Sequence, residues 1–209
     1  MKRKILFLIL ILLVIGLSFC SIVYLKFSRS DEKIISDIRE LKSYQCDVRY
    51  VIKNSRGEIK EETNQLYSDN KGNRVDFGED RIQVYNNEGN EGKVKVWDKI
   101  LNKGYETTTQ DYSFYSISFI NNLSKYLNDG STMEMEYDKE INKRYLKVNV
   151  VLDNNNPNLD RAILYVDIYE RVPEKLLVFN KKGELVVEAF YNNFIRDAKV
   201  DETLFDLGE

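Results

Sequence analysis

The groups available for chemistry in this 209-residue chain are carboxylates, hydroxyls, amines and two thiols, because it contains no histidine. That composition removes Ser-His-Asp and Cys-His nucleophile systems, imidazole acid–base chemistry and every histidine-containing zinc site. Two acidic clusters remain. Glu134, Glu136 and Asp138 alternate with Met133, Met135 and Tyr137, so an extended strand puts three carboxylates on one face, and paired carboxylates can serve glycoside hydrolysis. A strand that is acidic at every other position is also simply a solvated face. Asp153-Asn154-Asn155-Asn156-Pro157-Asn158 and Asp160 offer oxygen ligands for calcium, but Pro157 and the missing glycine break the EF-hand pattern, and a polar hairpin loop accounts for the same residues. Cys20 lies in an apolar run and Cys46 follows well beyond it, so a bridge between them is geometrically poor. Cys46 reads as a small buried side chain, the alternative being an intermolecular disulfide. With no phosphate-binding loop either, the residues point to no catalytic site, no metal and no cofactor.

The N-terminus sets the compartment. Lys2, Arg3 and Lys4 precede an uncharged run from Ile5 to Leu25, which at helical rise covers about 31 Å, close to the thickness of a bilayer core. We read residues 1–28 as an uncleaved signal anchor and residues 29–209 as one domain outside the cytoplasm, following the positive-inside rule. A competing reading makes Leu17-Ser18-Phe19-Cys20 a lipoprotein signal with Cys20 lipidated, although Phe19 stands where a small residue is needed. Either way the domain is tethered to the cell membrane. With those three basic residues set aside from 31 basic and 34 acidic, the remainder of the chain carries a net charge of −6, which argues against a nucleic-acid partner.

The elements that must position any site are mostly strands. Ile34, Ile35, Ile38 and Leu41 fall on one helical face, with Ser30 or Asp31 as cap. From Cys46 the period becomes two: Cys46, Val48, Tyr50 and Ile52 alternate with polar residues, and the turn 54–57 leads into a second run, 59–67. Further strands are predicted over 74–77, 81–85, 93–97, 103–108, 133–137, 144–152, 161–169, 175–179 and 185–191, with turn residues between them. One stretch, 113–128, returns to helical spacing through Phe114, Ile117, Ile120, Leu123 and Leu127. This stripe either fills the core or forms a lid over a lipid-binding cavity. Trp97 and Tyr105, on neighbouring strands, either mark an exposed partner surface or pack the sheet. The expected fold class is α+β: a single curved antiparallel sheet of about ten or eleven strands covered by helices.

Leu164-Tyr165-Val166-Asp167, Pro173, Lys175-Leu176, the Gly183 turn, Phe190-Tyr191, Phe194 and the closing Asp201, Leu204 and Phe205 resemble the end of the LolA-like lipoprotein-carrier superfamily. Leu41, Tyr44, Cys46, the Tyr67 strand, Arg74 and Val84-Tyr85-Asn86 are similar to its germination lipoproteins of the GerS type, found in spore-forming anaerobes. The resemblance runs over residues 31–207 and implies an eleven-stranded half-barrel closing over helices around an apolar concavity. It further implies a non-enzymatic partner of a CwlD-like cell-wall amidase acting on spore cortex, with a sporulating cell's forespore membranes as its place. Phe19 departs from the lipoprotein signal of that group.

Three function classes follow: a protein-binding module that uses sheet edges, a carrier of lipid or lipoprotein acyl chains in the half-barrel cavity, and an enzyme, which the missing histidine makes the weakest. Exposed strand edges also admit a homodimer. The anchor reading predicts that the intact mass of membrane-extracted protein includes residues 1–19; a diacylglyceryl adduct on Cys20 with those residues missing would contradict it.

Overall fold

In a computed structural model of the protein, the described residues are 32–86, 92–110, 112–127, 132–152 and 156–207. The predicted span Ile5 to Leu25, Cys20, the boundary at residue 28 and the cap at Ser30 or Asp31 lie outside them, as do Asp153, Asn154 and Asn155 of the calcium candidate. No helix among the described residues is long and apolar enough to cross a membrane. The chain divides into two compact units, Met1–Asp37 and Ile38–Glu209, and the sheet and its crossover belong wholly to the second. Residues 32–39 are helical (α1), with Ile34, Ile35 and Ile38 buried as their spacing predicts.

Eleven strands form one antiparallel sheet. They are β1 (Ser43–Asn54), β2 (Gly57–Ser68), β3 (Gly72–Asp76), β4 (Arg81–Tyr85), β5 (Lys93–Asp98), β6 (Lys103–Thr108), β7 (Thr132–Asp138), β8 (Lys143–Val151), β9 (Arg161–Asp167), β10 (Pro173–Phe179) and β11 (Leu185–Arg196). Their order, β6-β5-β4-β3-β2-β1-β11-β10-β9-β8-β7, is two meanders joined where β1 pairs with β11. The sheet is curved and unclosed, and β6 and β7 are its two edges. Consecutive strands joined by short turns pair as neighbours because that costs least loop entropy. The β6–β7 connection therefore has to travel from one edge of the sheet to the other.

Apolar alternation located the strands but not all of their ends. β11 continues to Arg196 rather than stopping near residue 191, because the polar stretch beyond Tyr191 remains paired to β1, with Tyr44 opposite Arg196 and a register shift between Gln45 and Asp47. β9 ends at Asp167 instead of Tyr169, since the Asp167 carboxylate accepts from the N–H groups of Tyr169 (2.7 Å) and Glu170 (3.0 Å) and turns the chain.

The helix predicted over 113–128 is not continuous. It is two single turns, α2 (Ser113–Ser116) and α3 (Ile120–Leu123), followed by a 3₁₀ turn over Ser124–Tyr126. Phe119 between them is extended, with ψ of 124°. The physical reason is competition for backbone acceptors. Ser118 Oγ donates back to Tyr115 O (2.6 Å), Asn122 Nδ2 takes Ser116 O (2.9 Å), and Tyr191 Oη takes Ser118 O (2.6 Å), so side chains hold carbonyls that a longer helix would use.

The break lets the crossover fill the inner face of the sheet. Phe119, Ile120, Leu123 and Leu127 are all 0% exposed, and Ile117 is buried. Phe114 is only half-buried, and Tyr115 occupies the buried position beside it. Tyr115 stacks edge-on against Tyr50 and Phe77, and Phe119 against Tyr85. Tyr50 Oη is shared with Ser118 Oγ at 2.7 Å and accepts from Gln65 Nε2 at 2.5 Å. On the outer face, the C-terminal turn Glu202–Phe205 seats Phe205 against Leu66 and Val84 and is pinned by Arg74 Nη1 donating to Leu204 O (2.6 Å). Asp201 caps this turn by accepting from Thr203, bonds that hold its carboxyl below the usual range.

Two substitutions test whether the crossover is core. Leu123→Ala in the full chain is expected to cost about 2–5 kcal/mol in unfolding free energy through lost burial and a residual cavity. Tyr50→Phe leaves Gln65 Nε2 unpaired beside an Oε1 that already has no partner among the described residues, and is expected to cost about 1–3 kcal/mol. Unchanged unfolding midpoints for both would mean that the crossover moves freely.

Candidate functional site

Binding chemistry has three places to reside in this fold: the concave face, the surface grooves and the sheet edges. The concave face presents Tyr44, Cys46, Val48, Tyr50 and Ile52 from β1 and Val187, Ala189 and Tyr191 from β11, all buried. The stripe predicted as core or lid divides here. Ile120, Leu123 and Leu127 lie in the filled core, whereas Ile117 lines a solvent-open groove of about 750 Å³ with Gln110, Ser113, Asn122, Lys125 and Tyr126. The interior is not a hydrocarbon slot. Gln65, Asn73, Gln83 and Ser118 are buried among the tyrosines, and Tyr44 Oη donates to Asn73 Oδ1 (3.3 Å) while Tyr85 Oη donates to Gln83 Oε1 (2.7 Å). Burial pushes the Cys46 thiol well up, leaving it a neutral packing group.

The crossover is also latched at its start. Arg81 donates to Glu61 Oε1 (3.2 Å) and to Tyr115 Oη (3.3 Å), Tyr115 donates in turn to Glu61, and the guanidinium lies 3.7 Å from the centroid of the Phe77 ring. Charge, aromatic face and hydroxyl are thus satisfied together where α2 meets β2 and β4.

The acidic strand face is an ion-pair ladder. Lys147 of β8 lies 2.7 Å from Glu134 and 3.4 Å from Glu136, both exposed, and the hydrogen bond to Glu134 leads in raising the lysine's pKa. Asp138 instead caps its turn, accepting from Glu140 N (3.0 Å). Among the described residues no group of three His, Cys, Asp or Glu side chains is placed to hold a metal ion. Asn156, from the calcium candidate, accepts from Asn158 N (3.0 Å) in a turn.

Trp97 and Tyr105 do not form one surface. The register puts Val96 opposite Tyr105 and Gly104 opposite Trp97, so the two aromatics project from opposite faces of the sheet. Tyr105 is exposed on the inner face and reaches Tyr112 Oη at 3.3 Å; Trp97 is half-buried on the outer face, opposite Ile82. What the sequence reading passed over is the inner face of β7, where Met133, Met135 and Tyr137 are exposed. Their alternation was visible, but only the strand order reveals that β7 is an edge.

No curated protein matches the chain. Solved structures similar to it include an uncharacterized conserved protein from Thermus thermophilus, at 12% identity over 85% of this chain and 94% of that one, with a TM-score of 0.53. A LolA superfamily protein from Nitrosomonas europaea aligns at 11% identity over 84% of this chain and 97% of that one, with a TM-score of 0.42. The structure of the CwlD amidase from Clostridioides difficile in complex with the GerS lipoprotein aligns at 16% identity over 87% and 94%, with a TM-score of 0.30. Such identities speak to the fold alone. Residues 2–205 match the family described as sporulation protein YdcC-like, and the chain belongs to that family.

Proposed function

We propose that the protein is a membrane-tethered, extracytoplasmic binding protein that acts in sporulation or germination as a non-enzymatic partner or activator of a cell-wall amidase. The observation that carries the binding reading is the filled concavity. In an acyl-chain carrier the space between sheet and helices must be open to lipid, whereas here Phe119, Ile120, Leu123 and Leu127 occupy it with no exposure and hydroxyls and amides line its walls. Recognition then falls to the outside of the half-barrel, where each of the two edge strands has a neighbouring strand on one side only. The apolar run from Ile5 to Leu25 supports the tether, and a fixed anchor suits holding a partner at the membrane better than shuttling lipid away from it. Membership of a sporulation family supports the setting. The choice of amidase rests on the GerS-like positions from Leu41 to Phe205.

Full-length protein, extracted in mild detergent from sporulating cells and analysed by mass spectrometry, is expected to retain a cell-wall amidase and to release no fragments from peptidoglycan by itself. Turnover of peptidoglycan by the purified chain that disappears in Glu134→Gln or Glu136→Gln would make it a carboxylate hydrolase. Stoichiometric acyl lipid with no protein partner would make it a carrier.

A further inference from the structure

We infer that β7 is the docking edge and that its occupant is an extended protein segment alternating apolar residues with lysine or arginine. The inference rests on the binding reading above and goes further by naming the edge and the chemistry of the partner. Along β7, Met133, Met135 and Tyr137 point to the inner side of the sheet and remain 40%, 41% and 49% exposed, although the residues opposite the two methionines, Val148 and Leu146, are fully buried. The apolar inner surface thus continues to the rim of the sheet, where the two methionines stay uncovered among the described residues while Tyr137 donates to Asn142 Oδ1 (2.7 Å) and faces the Arg144 guanidinium 5.9 Å from its ring centroid. Two of the chain's three methionines lie on this one strip, and a flexible thioether adapts to varied apolar partners.

The other face of the same strand specifies charge. Glu134 and Glu136 are satisfied by Lys147 from the β8 side only. A strand added on the open side places its outward residues about 5 Å from these glutamates, where basic side chains pair and acidic ones repel. That requirement disfavours a second copy of this chain. An antiparallel β7–β7 pair centred on Met135 sets Glu134 opposite Glu136, and centring it on either glutamate sets that residue opposite its own copy. The β6 edge offers Gly104, Glu106 and Thr108 on the corresponding face, with no basic residue among them. A heterologous strand, apolar inward and basic outward, satisfies both faces of β7 along its open side.

Two peptides test this: blocked segments of the length of β7, 7 residues, alternating valine with lysine in one and with glutamate in the other. Titrated into the full chain, the lysine peptide is expected to bind at least about tenfold more tightly and to shift the methyl signals of Met133 and Met135. Glu134→Lys/Glu136→Lys is expected to invert the preference, and Met133→Glu/Met135→Glu to abolish binding without changing the unfolding midpoint. Equal affinity for both peptides, no binding of either, or binding that leaves the methyl signals unmoved would overturn the proposal. The parent reading fails separately. If wild-type protein retains its partner from sporulating cells and the Met133→Glu/Met135→Glu variant retains it equally, the β7 assignment is wrong and the binding function stands; if wild type retains no protein, the binding function itself is wrong.

Discussion

The pairing of β1 with β11 is the constraint on which the rest depends. Eight register positions, from Tyr44 opposite Arg196 to Ile52 opposite Val187, join the first strand to the last and so turn two local meanders into one sheet. Once those strands are central, β6 and β7 are forced to opposite rims, and the chain between them must pass across a face. A connection with that path would expose the apolar side of the sheet unless it brought apolar residues of its own. It brings Phe119, Ile120, Leu123 and Leu127.

The same path explains why the interior is partly polar. Two short helical turns joined through an extended residue leave backbone carbonyls facing the sheet, and each must be hydrogen-bonded when buried. Tyr191 and Asn122 supply donors to Ser118 O and Ser116 O, while Tyr50 closes the set through Ser118 Oγ and Gln65. On the outer face the burden is charge: Arg49 lies 4.1 Å from the Phe190 centroid, Lys175 4.2 Å from Tyr165 and Arg161 4.5 Å from Phe179, so aliphatic stems and cations cover rings that would otherwise be bare.

How much of this could be read beforehand divides along the same line. Alternation in Cys46, Val48, Tyr50 and Ile52 reports local burial on one face, and it located β1 and its hairpin with β2. Helical spacing from Phe114 to Leu127 identified the segment that covers the sheet. It gave the wrong continuity, because the tyrosine and asparagine donors that break the helix come from β11 and from a position six residues away, contacts no local period contains. Trp97 and Tyr105 looked like one surface for a related reason: adjacency of strands was legible, while the one-residue register that separates their faces was not. The importance of Met133 and Met135 depended on strand order, which is a property of the whole chain.

The crossover is core and not a gate: Phe119, Ile120, Leu123 and Leu127 are fully buried. Native-state hydrogen exchange of the amides of Leu123 and Leu127, which donate to Phe119 O (3.0 Å) and Ser124 O (3.3 Å), tests it most directly. These amides are expected to exchange only with global unfolding, in the same class as those of β1 and β11, and to be unaffected by added acyl chains. Exchange through local opening far below the global free energy, slowed when an acyl chain is supplied, would contradict it.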